Sequence, residues 1–127
     1  MNLLFDTHVF IWWADEPAKL KTSVTAALED ENNRLFLSDA SIWEMQIKLQ
    51  LGKIDLKLPL KDLIESQQQE NEVEILHITT NHILELENLP FHHKDPFDRI
   101  LIAQSIVEGL TVITVDSEFR AYPAKLF

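Results

Sequence analysis

The chain has 127 residues, of which 46% are hydrophobic and 25% are charged, and its formal net charge is −10. This length fits a single domain spanning residues 1–127, and the composition is that of a globular protein. The absence of cysteine excludes a disulfide scaffold and a zinc site with thiolate ligands. Because the apolar runs are too short for a membrane span and the start lacks a basic signal region, we expect a cytoplasmic protein with no membrane partner.

The acidic balance restricts the classes of partner. The 21 acidic residues outnumber the 11 lysines and arginines, which argues against a protein that coats nucleic acid through phosphate contacts. Two explanations for the excess acid remain open at this point. The first is that some of the carboxylates bind a metal ion, and the second is that the protein binds a basic partner.

Helices are predicted to dominate, because only two glycines and five prolines interrupt the chain. Hydrophobic spacing and capping residues define the elements. In chain order they are a strand at 3–5, a helix from Pro17 to about 31, a strand at 35–37, helices at 40–51 and 59–69, a strand at 73–78, a helix at about 80–89, a helix at 95–109 and a strand at 111–115.

Strands that alternate with helices predict an α/β fold. Each helix crosses between parallel strands, which gives a three-layer α/β/α sandwich around a parallel sheet of about four or five short strands. Ligands of such sheets bind beyond the carboxyl ends of the strands. Asp6 and Asp116 both follow predicted strands, so we expect them at this edge, although each also fits a turn or a helix cap.

Two further acids begin helices at the same edge. Glu44 lies early in the helix at 40–51, where a capping box with Ser41 or an ion pair with Lys48 would also explain it. Asp98 follows Asp95, a good N-cap, in a helix whose later residues are nearly all apolar. An acid at the start of a buried helix must be paired or bind a cation.

The four acids together favour a metal site. Several carboxylates at one place raise each other's pKa unless a cation neutralises them. Oxygen ligands without cysteine suit Mg²⁺ or Mn²⁺. Such ions orient and acidify a water molecule and stabilise the charge on a phosphodiester that is being hydrolysed.

Four segments of the chain resemble the PIN domain, and most closely the VapC-type ribonuclease toxins of toxin–antitoxin pairs. These segments are Leu4-Phe5-Asp6-Thr7-His8, Ser41-Ile42-Trp43-Glu44, residues 93–104 and residues 109–116. The resemblance covers essentially the whole chain, with these segments in the right order. The segment from Asp95 to Gln104 is the strongest match.

The resemblance implies a function. The acids that bind Mg²⁺ in the family match Asp6, Glu44, Asp98 and Asp116, which are therefore the predicted metal ligands and catalytic residues. It further implies hydrolysis of RNA, a homodimer, and an antitoxin whose tail covers the active site. Within this interpretation, Thr7 and Thr114 place hydroxyls near the metal-bound water. The alternative is a PIN-like protein that binds RNA or a protein partner without cleaving it.

Other chemistry fits less well. A phospho-acceptor receiver domain would need a second acid after Asp6 and a lysine where Asp116 stands, and His8 occupies the second acid of an Asp-x-Asp phosphatase. The three tryptophans are expected in the core or at a protein interface. Phosphate contacts near the acids are expected from three basic residues, Lys94, Arg99 and Arg120.

Overall fold

A computed structural model describes residues 1–92 and 95–127. Its sheet has five parallel strands in the order β3-β2-β1-β4-β5. The strands are β1 (Asn2–Phe5), β2 (Arg34–Ser38), β3 (Glu74–Leu76), β4 (Thr111–Ile113) and β5 (Lys125–Leu126). The predicted α/β fold with a short-stranded parallel sheet is therefore confirmed.

Six α-helices connect the strands in the described part of the chain. They are α1 (Thr7–Asp15), α2 (Thr22–Glu29), α3 (Asp39–Gln50), α4 (Leu60–Asn71), α5 (Thr80–Glu85) and α6 (Pro96–Glu108). Three 3₁₀ turns, Pro17–Lys19, Leu86–Asn88 and Ser117–Ala121, complete the connections. None of the described helices is both long enough and apolar enough to cross a lipid bilayer.

Alternation along the strands divides the core between the two faces of the sheet. In β1, Leu3 and Phe5 join a cluster with side chains of α1, α2 and α4, whereas Leu4 joins a second cluster with α6. All three side chains are almost completely buried. The helices thus form one layer on each side of the sheet.

Two predicted boundaries were wrong, and two elements, α1 and β5, were not predicted. Pro17 begins a 3₁₀ turn, and α2 begins only at Thr22, because Leu20 is extended between them. The strand predicted at 111–115 ends at Ile113, where the hydroxyl of Thr114 accepts a hydrogen bond from the Asp116 backbone N–H and turns the chain. The short strand β5 was not predicted, since two residues with a charged neighbour carry no clear alternation.

Candidate active site

The four predicted site residues all lie at or just beyond the carboxyl edge of the sheet. Asp6 directly follows β1, and Glu44 lies in the second turn of α3, which follows β2. Asp98 is in the first turn of α6, while Asp116 lies three residues beyond β4. Because β1 stands between β2 and β4, Asp6 is at the centre of this acidic edge.

Asp6 is buried, and its carboxylate is held by a hydrogen bond. Its side chain is only 3% exposed, and its Oδ2 atom accepts a hydrogen bond of 2.8 Å from the hydroxyl of Thr114. Burial raises the pKa of Asp6; the Thr114 hydrogen bond and the nearby His8 oppose the shift, and the charge of Glu44 adds to it. The hydroxyl of Thr114 therefore lies beside a candidate ligand, and its place near a metal-bound water stays a prediction.

Glu44 is buried with one oxygen paired and one not. Its Oε2 atom accepts a hydrogen bond of 2.7 Å from the Lys48 ammonium. Its Oε1 atom is buried and has no hydrogen-bond partner among the described residues. The alternative ion pair with Lys48 is thus present, but the capping box with Ser41 is not, since Ser38 caps α3 through the Ala40 backbone N–H. An unpartnered carboxylate oxygen is costly to bury unless a further ligand binds it.

Asp98 shows that the acids act on one another. Its pKa is raised to about 8, first by burial and then by the negative charges of Asp6, Asp95, Glu44 and Asp116. All four predicted residues are therefore close enough for appreciable electrostatic repulsion. Ionising the whole cluster without a cation is unfavourable.

Asp95 and Asp116 have local structural roles as caps. Asp95 accepts hydrogen bonds from the backbone N–H groups of Phe97 and Asp98 and is the N-cap of α6, as predicted. Asp116 accepts a hydrogen bond of 2.9 Å from the Glu118 backbone N–H and caps the 3₁₀ turn. The alternative interpretation of Asp116 as a cap is therefore correct, and it does not conflict with a further role.

The donor set fits a hard divalent cation. Within residues 1–92 and 95–127, no three acidic or histidine side chains are positioned to enclose one ion as they stand. Nevertheless, every candidate ligand is a carboxylate oxygen, the repulsion at Asp98 needs positive charge, and the Oε1 atom of Glu44 lacks a partner. Mg²⁺ and Mn²⁺ prefer such oxygen ligands. An ion bound there would offset the repulsion at Asp98 and give the Oε1 atom of Glu44 a partner.

The basic residues separate into different roles. Arg99 is 7% exposed and donates to the Pro90 carbonyl at 2.8 Å and to the Tyr122 hydroxyl at 3.2 Å. Arg99 thus anchors the segment before α6 by hydrogen bonds. Because its guanidinium is buried and used in these bonds, the predicted phosphate contact is wrong for Arg99. Arg120 is exposed beyond Asp116. Lys94 lies outside the described residues.

The tryptophans are divided between core and surface. Trp13 stacks on Phe5 with ring centres 5.6 Å apart and belongs to the core. Trp43 is 62% exposed, and its ring meets Phe97 edge-on at 5.3 Å. The prediction of a core position therefore holds for Trp13, and Trp43 is a surface residue beside α6.

A buried hydrogen bond that was not predicted from the sequence connects the helices that carry Asp98 and Glu44. The Gln104 side chain on α6 is fully buried, and its Oε1 atom accepts a hydrogen bond of 2.6 Å from Ser38, the N-cap of α3. This contact joins the helix of Asp98 to the helix of Glu44. A glutamine beside the apolar run at residues 100–103 of α6 was the available signal.

The chain is similar to known proteins over nearly its whole length. The family profile of the PIN domain matches residues 3–125. Ribonuclease VapC22 of Mycobacterium tuberculosis is 28% identical over 122 residues, which cover 95% of this chain and 92% of the relative.

Solved structures share the fold. A crystal structure of VapBC2 from Rickettsia felis, bound to a DNA fragment from their promoter, matches with a TM-score of 0.75 at 16% identity, covering 100% of this chain and 98% of that chain. FitAcB from Neisseria gonorrhoeae matches with a TM-score of 0.64 at 18% identity, covering 98% and 96%.

Proposed function

This chain belongs to the PIN domain family, and on that premise we propose that it is a Mg²⁺- or Mn²⁺-dependent endoribonuclease, the toxin of a type II toxin–antitoxin pair. One observation carries the proposal. Four carboxylates from four separate segments converge on one edge of the sheet, where burial and then the charges of the neighbouring acids raise the pKa of Asp98 to about 8. A protein tolerates such repulsion where a cation offsets it.

The ligands follow from this arrangement. Asp6, Glu44 and Asp98 would hold the first ion, and Asp116 would assist or hold a second. When bound, the ion supplies a more acidic water and positive charge for the phosphodiester under attack. Thr114 fixes the orientation of the Asp6 carboxylate through its hydrogen bond of 2.8 Å. Lys48 holds one oxygen of Glu44, so the other oxygen is directed to a ligand.

The names of the similar proteins support RNA as the substrate and an antitoxin as the partner. VapC22 is named a ribonuclease, and the Rickettsia felis structure is of a VapBC pair bound to DNA. A further match, from Klebsiella pneumoniae, is a toxin–antitoxin complex. We therefore infer that this chain acts on RNA and pairs with a cognate antitoxin. From the family resemblance alone we further infer a homodimer that acts in the cytoplasm.

Cleavage of total RNA tests the proposal. Purified protein is incubated with RNA in Mg²⁺, in Mn²⁺ and in EDTA, beside Asp98→Asn and the control Asp62→Asn, which changes an exposed acid at the start of α4. Discrete fragments are expected from the wild type and the control in metal only. Equal cleavage by Asp98→Asn, or cleavage in EDTA, would contradict the metal site.

The same experiment distinguishes the alternative function. A protein that only binds RNA would retain the RNA on a filter in metal without producing fragments. Retention by a folded, metal-binding wild type with no fragments from any RNA pool would replace the nuclease with this binding role.

A further inference from the structure

The hydrogen bond between Ser38 and Gln104 belongs to a longer chain of polar groups. The Nε2 atom of Gln104 lies 3.4 Å from the Nδ1 atom of His82 in α5. His82 is fully buried, and its own Nε2 atom lies 2.8 Å from a carboxylate oxygen of Glu108. The chain therefore runs from the carboxylate of Glu108, through the buried side chains of His82 and Gln104, to the N-cap of α3.

The position of the proton on His82 fixes the direction of these hydrogen bonds. The Nδ1 atom of His82 accepts a hydrogen bond of 3.0 Å from the Thr79 backbone N–H, so it carries no proton, and Nε2 donates to Glu108. Nδ1 therefore faces the amide nitrogen of Gln104, and the amide oxygen of Gln104 is left to accept from Ser38. A single orientation of the Gln104 amide thus satisfies both of its neighbours.

Two contacts show how α3 and α6 lie against each other. Ser38, the N-cap of α3, meets Gln104 in the later half of α6. Trp43, further along α3, meets Phe97 near the start of α6, with ring centres 5.3 Å apart. The two helices therefore pass each other in opposite directions.

Both candidate ligands on these helices lie at the same distance from the buried contact. Six residues separate Ser38 from Glu44 along α3, and six separate Asp98 from Gln104 along α6. At about 1.5 Å per residue, this is roughly 9 Å along each helix. A slide of α3 along α6 by one residue would therefore move the Glu44 carboxylate relative to that of Asp98 by about 1.5 Å.

Apolar packing alone does not define this alignment. Residues 100–103 of α6, which precede Gln104, are all apolar and buried. Apolar side chains of suitable volume pack in more than one arrangement. A buried amide is different, because a shifted helix would leave its polar atoms without partners. For this reason a single polar residue in an apolar helix interface specifies one register.

We propose that Gln104, oriented by His82, is a positioning residue that aligns α3 with α6 and thereby sets the distance between the carboxylates of Glu44 and Asp98. This inference rests on the proposed metal-dependent function, since that distance matters for an ion that both carboxylates bind. Gln104 is fully buried and acts through Ser38 rather than by contact with the substrate. Groups that hold metal ligands in place contribute about 10- to 100-fold to metal affinity.

Binding of Mn²⁺ without RNA tests this role. Free Mn²⁺ is measured by electron paramagnetic resonance while the metal is titrated into the wild type and into Gln104→Met. Methionine is also long and unbranched, but it lacks the amide. Gln104→Met should raise the Kd for Mn²⁺ by about tenfold or more. An unchanged Kd in a folded Gln104→Met variant would overturn the proposal.

Gln67→Met is the matched control. Gln67 is also a buried glutamine, but its hydrogen bond of 2.8 Å is to Asn71 within α4, which carries none of the candidate ligands. This variant should leave the Kd for Mn²⁺ unchanged even where urea unfolding shows a loss of stability. Equal weakening of Mn²⁺ binding in Gln67→Met and Gln104→Met would overturn the proposal, because general destabilisation would then explain it.

Ser38→Ala removes the same hydrogen bond from the other side and replaces Gln104→Met where the latter does not fold. Since Ser38 also caps α3, its loss should weaken Mn²⁺ binding at least as much as Gln104→Met does. The double variant should bind Mn²⁺ no more weakly than Ser38→Ala alone, because the two changes remove one contact. Losses that add in the double variant would contradict a role of Gln104 through Ser38.

The indole of Trp43 reports the alignment in the absence of metal, since its contact with Phe97 joins the two helices next to Glu44 and Asp98. Its N–H resonance, identified by its loss in Trp43→Phe, is followed in ¹⁵N-labelled protein in EDTA. It should shift in Gln104→Met and stay in place in Gln67→Met. An unmoved resonance would overturn the alignment although the nuclease stands. A shifted resonance, in a protein whose wild type binds no Mn²⁺ and cleaves no RNA, would keep the alignment and reject the proposed function.

Discussion

The two edges of the sheet are both acidic, but their carboxylates are in different environments. At the amino edge, a broad cavity is lined by the exposed acids Asp30, Glu31, Glu70 and Glu72 among others. Glu74 there forms a two-pronged ion pair with Arg34, at 2.8 and 2.9 Å, and this pair raises the pKa of the guanidinium.

At the carboxyl edge, Asp6 and Glu44 are 3% and 4% exposed. Burial there raises the pKa of Asp6 and of Asp98, and neighbouring acids add to the shift. Water screens the exposed acids of the amino edge, whereas the buried acids act strongly on one another. The number of acidic residues at an edge therefore does not identify the candidate site. The site is identified by several acidic side chains that are buried close to one another.

The largest expected effect is on cleavage. Asp6→Asn removes the central carboxylate of the acidic edge and should lower RNA cleavage by at least about 100-fold, as loss of a key electrostatic group does in other enzymes. Asp30→Asn changes an exposed acid at the amino edge and should leave cleavage unchanged. Initial rates in Mg²⁺ measure both. Comparable losses in the two variants would show that total charge, rather than the buried cluster, matters.

A second effect is on stability without metal. The pKa of Asp98 is about 8 in the folded protein against 3.8 for an ordinary Asp, so the folded state binds more protons between these values. Stability must then fall as pH rises through this window. Because Asp98 is partly exposed, we expect Asp98→Asn to stabilise the metal-free protein by about 2 kcal/mol at pH 8.

Urea unfolding in EDTA at pH 4, 6 and 8 provides the measurement. The difference between Asp98→Asn and the wild type should be small at pH 4 and grow with pH. Saturating Mg²⁺ should reverse its sign at pH 8, since the wild type then gains binding energy that the variant loses. A constant difference at all three pH values would contradict the repulsion that defines the carboxyl edge.

The smallest effect is expected at the amino edge. Glu74→Gln breaks the ion pair with Arg34. The side chain of Glu74 is 45% exposed and that of Arg34 is 60% exposed. Exposed pairs contribute little because water screens them. Urea unfolding should detect no change of stability between pH 6 and 8 and no change on adding Mg²⁺. A large, metal-sensitive change would remove the distinction between the edges.

Much of the fold was predictable from local patterns. The apolar runs of β1, β2 and β4, each near an acid, were visible in the sequence and led to the parallel sheet. The helix cap of Asp95 and the pair of Glu44 with Lys48 were also predictable, because the partners lie within one helical turn. The start of α2 was not, because Pro17 suits a 3₁₀ turn as well as a helix.

The candidate ligands were identified as a set by their positions after strands and at helix starts, and resemblance to a family assigned their role. Their relative importance was less clear. Asp116 lies further from its strand than predicted and caps a turn, whereas Asp6 is central and buried. The role of Arg99 was also not predicted, because its partners, the Pro90 carbonyl and the Tyr122 hydroxyl, lie more than two helical turns away along the chain.

By itself, the sequence determined the order of most strands and helices, although not α1 or β5, together with the oxygen-rich chemistry of the acids and the local caps, since these depend on residues within a few positions of one another. Only the tertiary structure decided which distant groups meet. Thr114 reaches Asp6 across 108 residues, and Ser38 reaches Gln104 across 66. Such contacts depend on which strands pair, and strand pairing is set by packing of the whole core rather than by any local pattern.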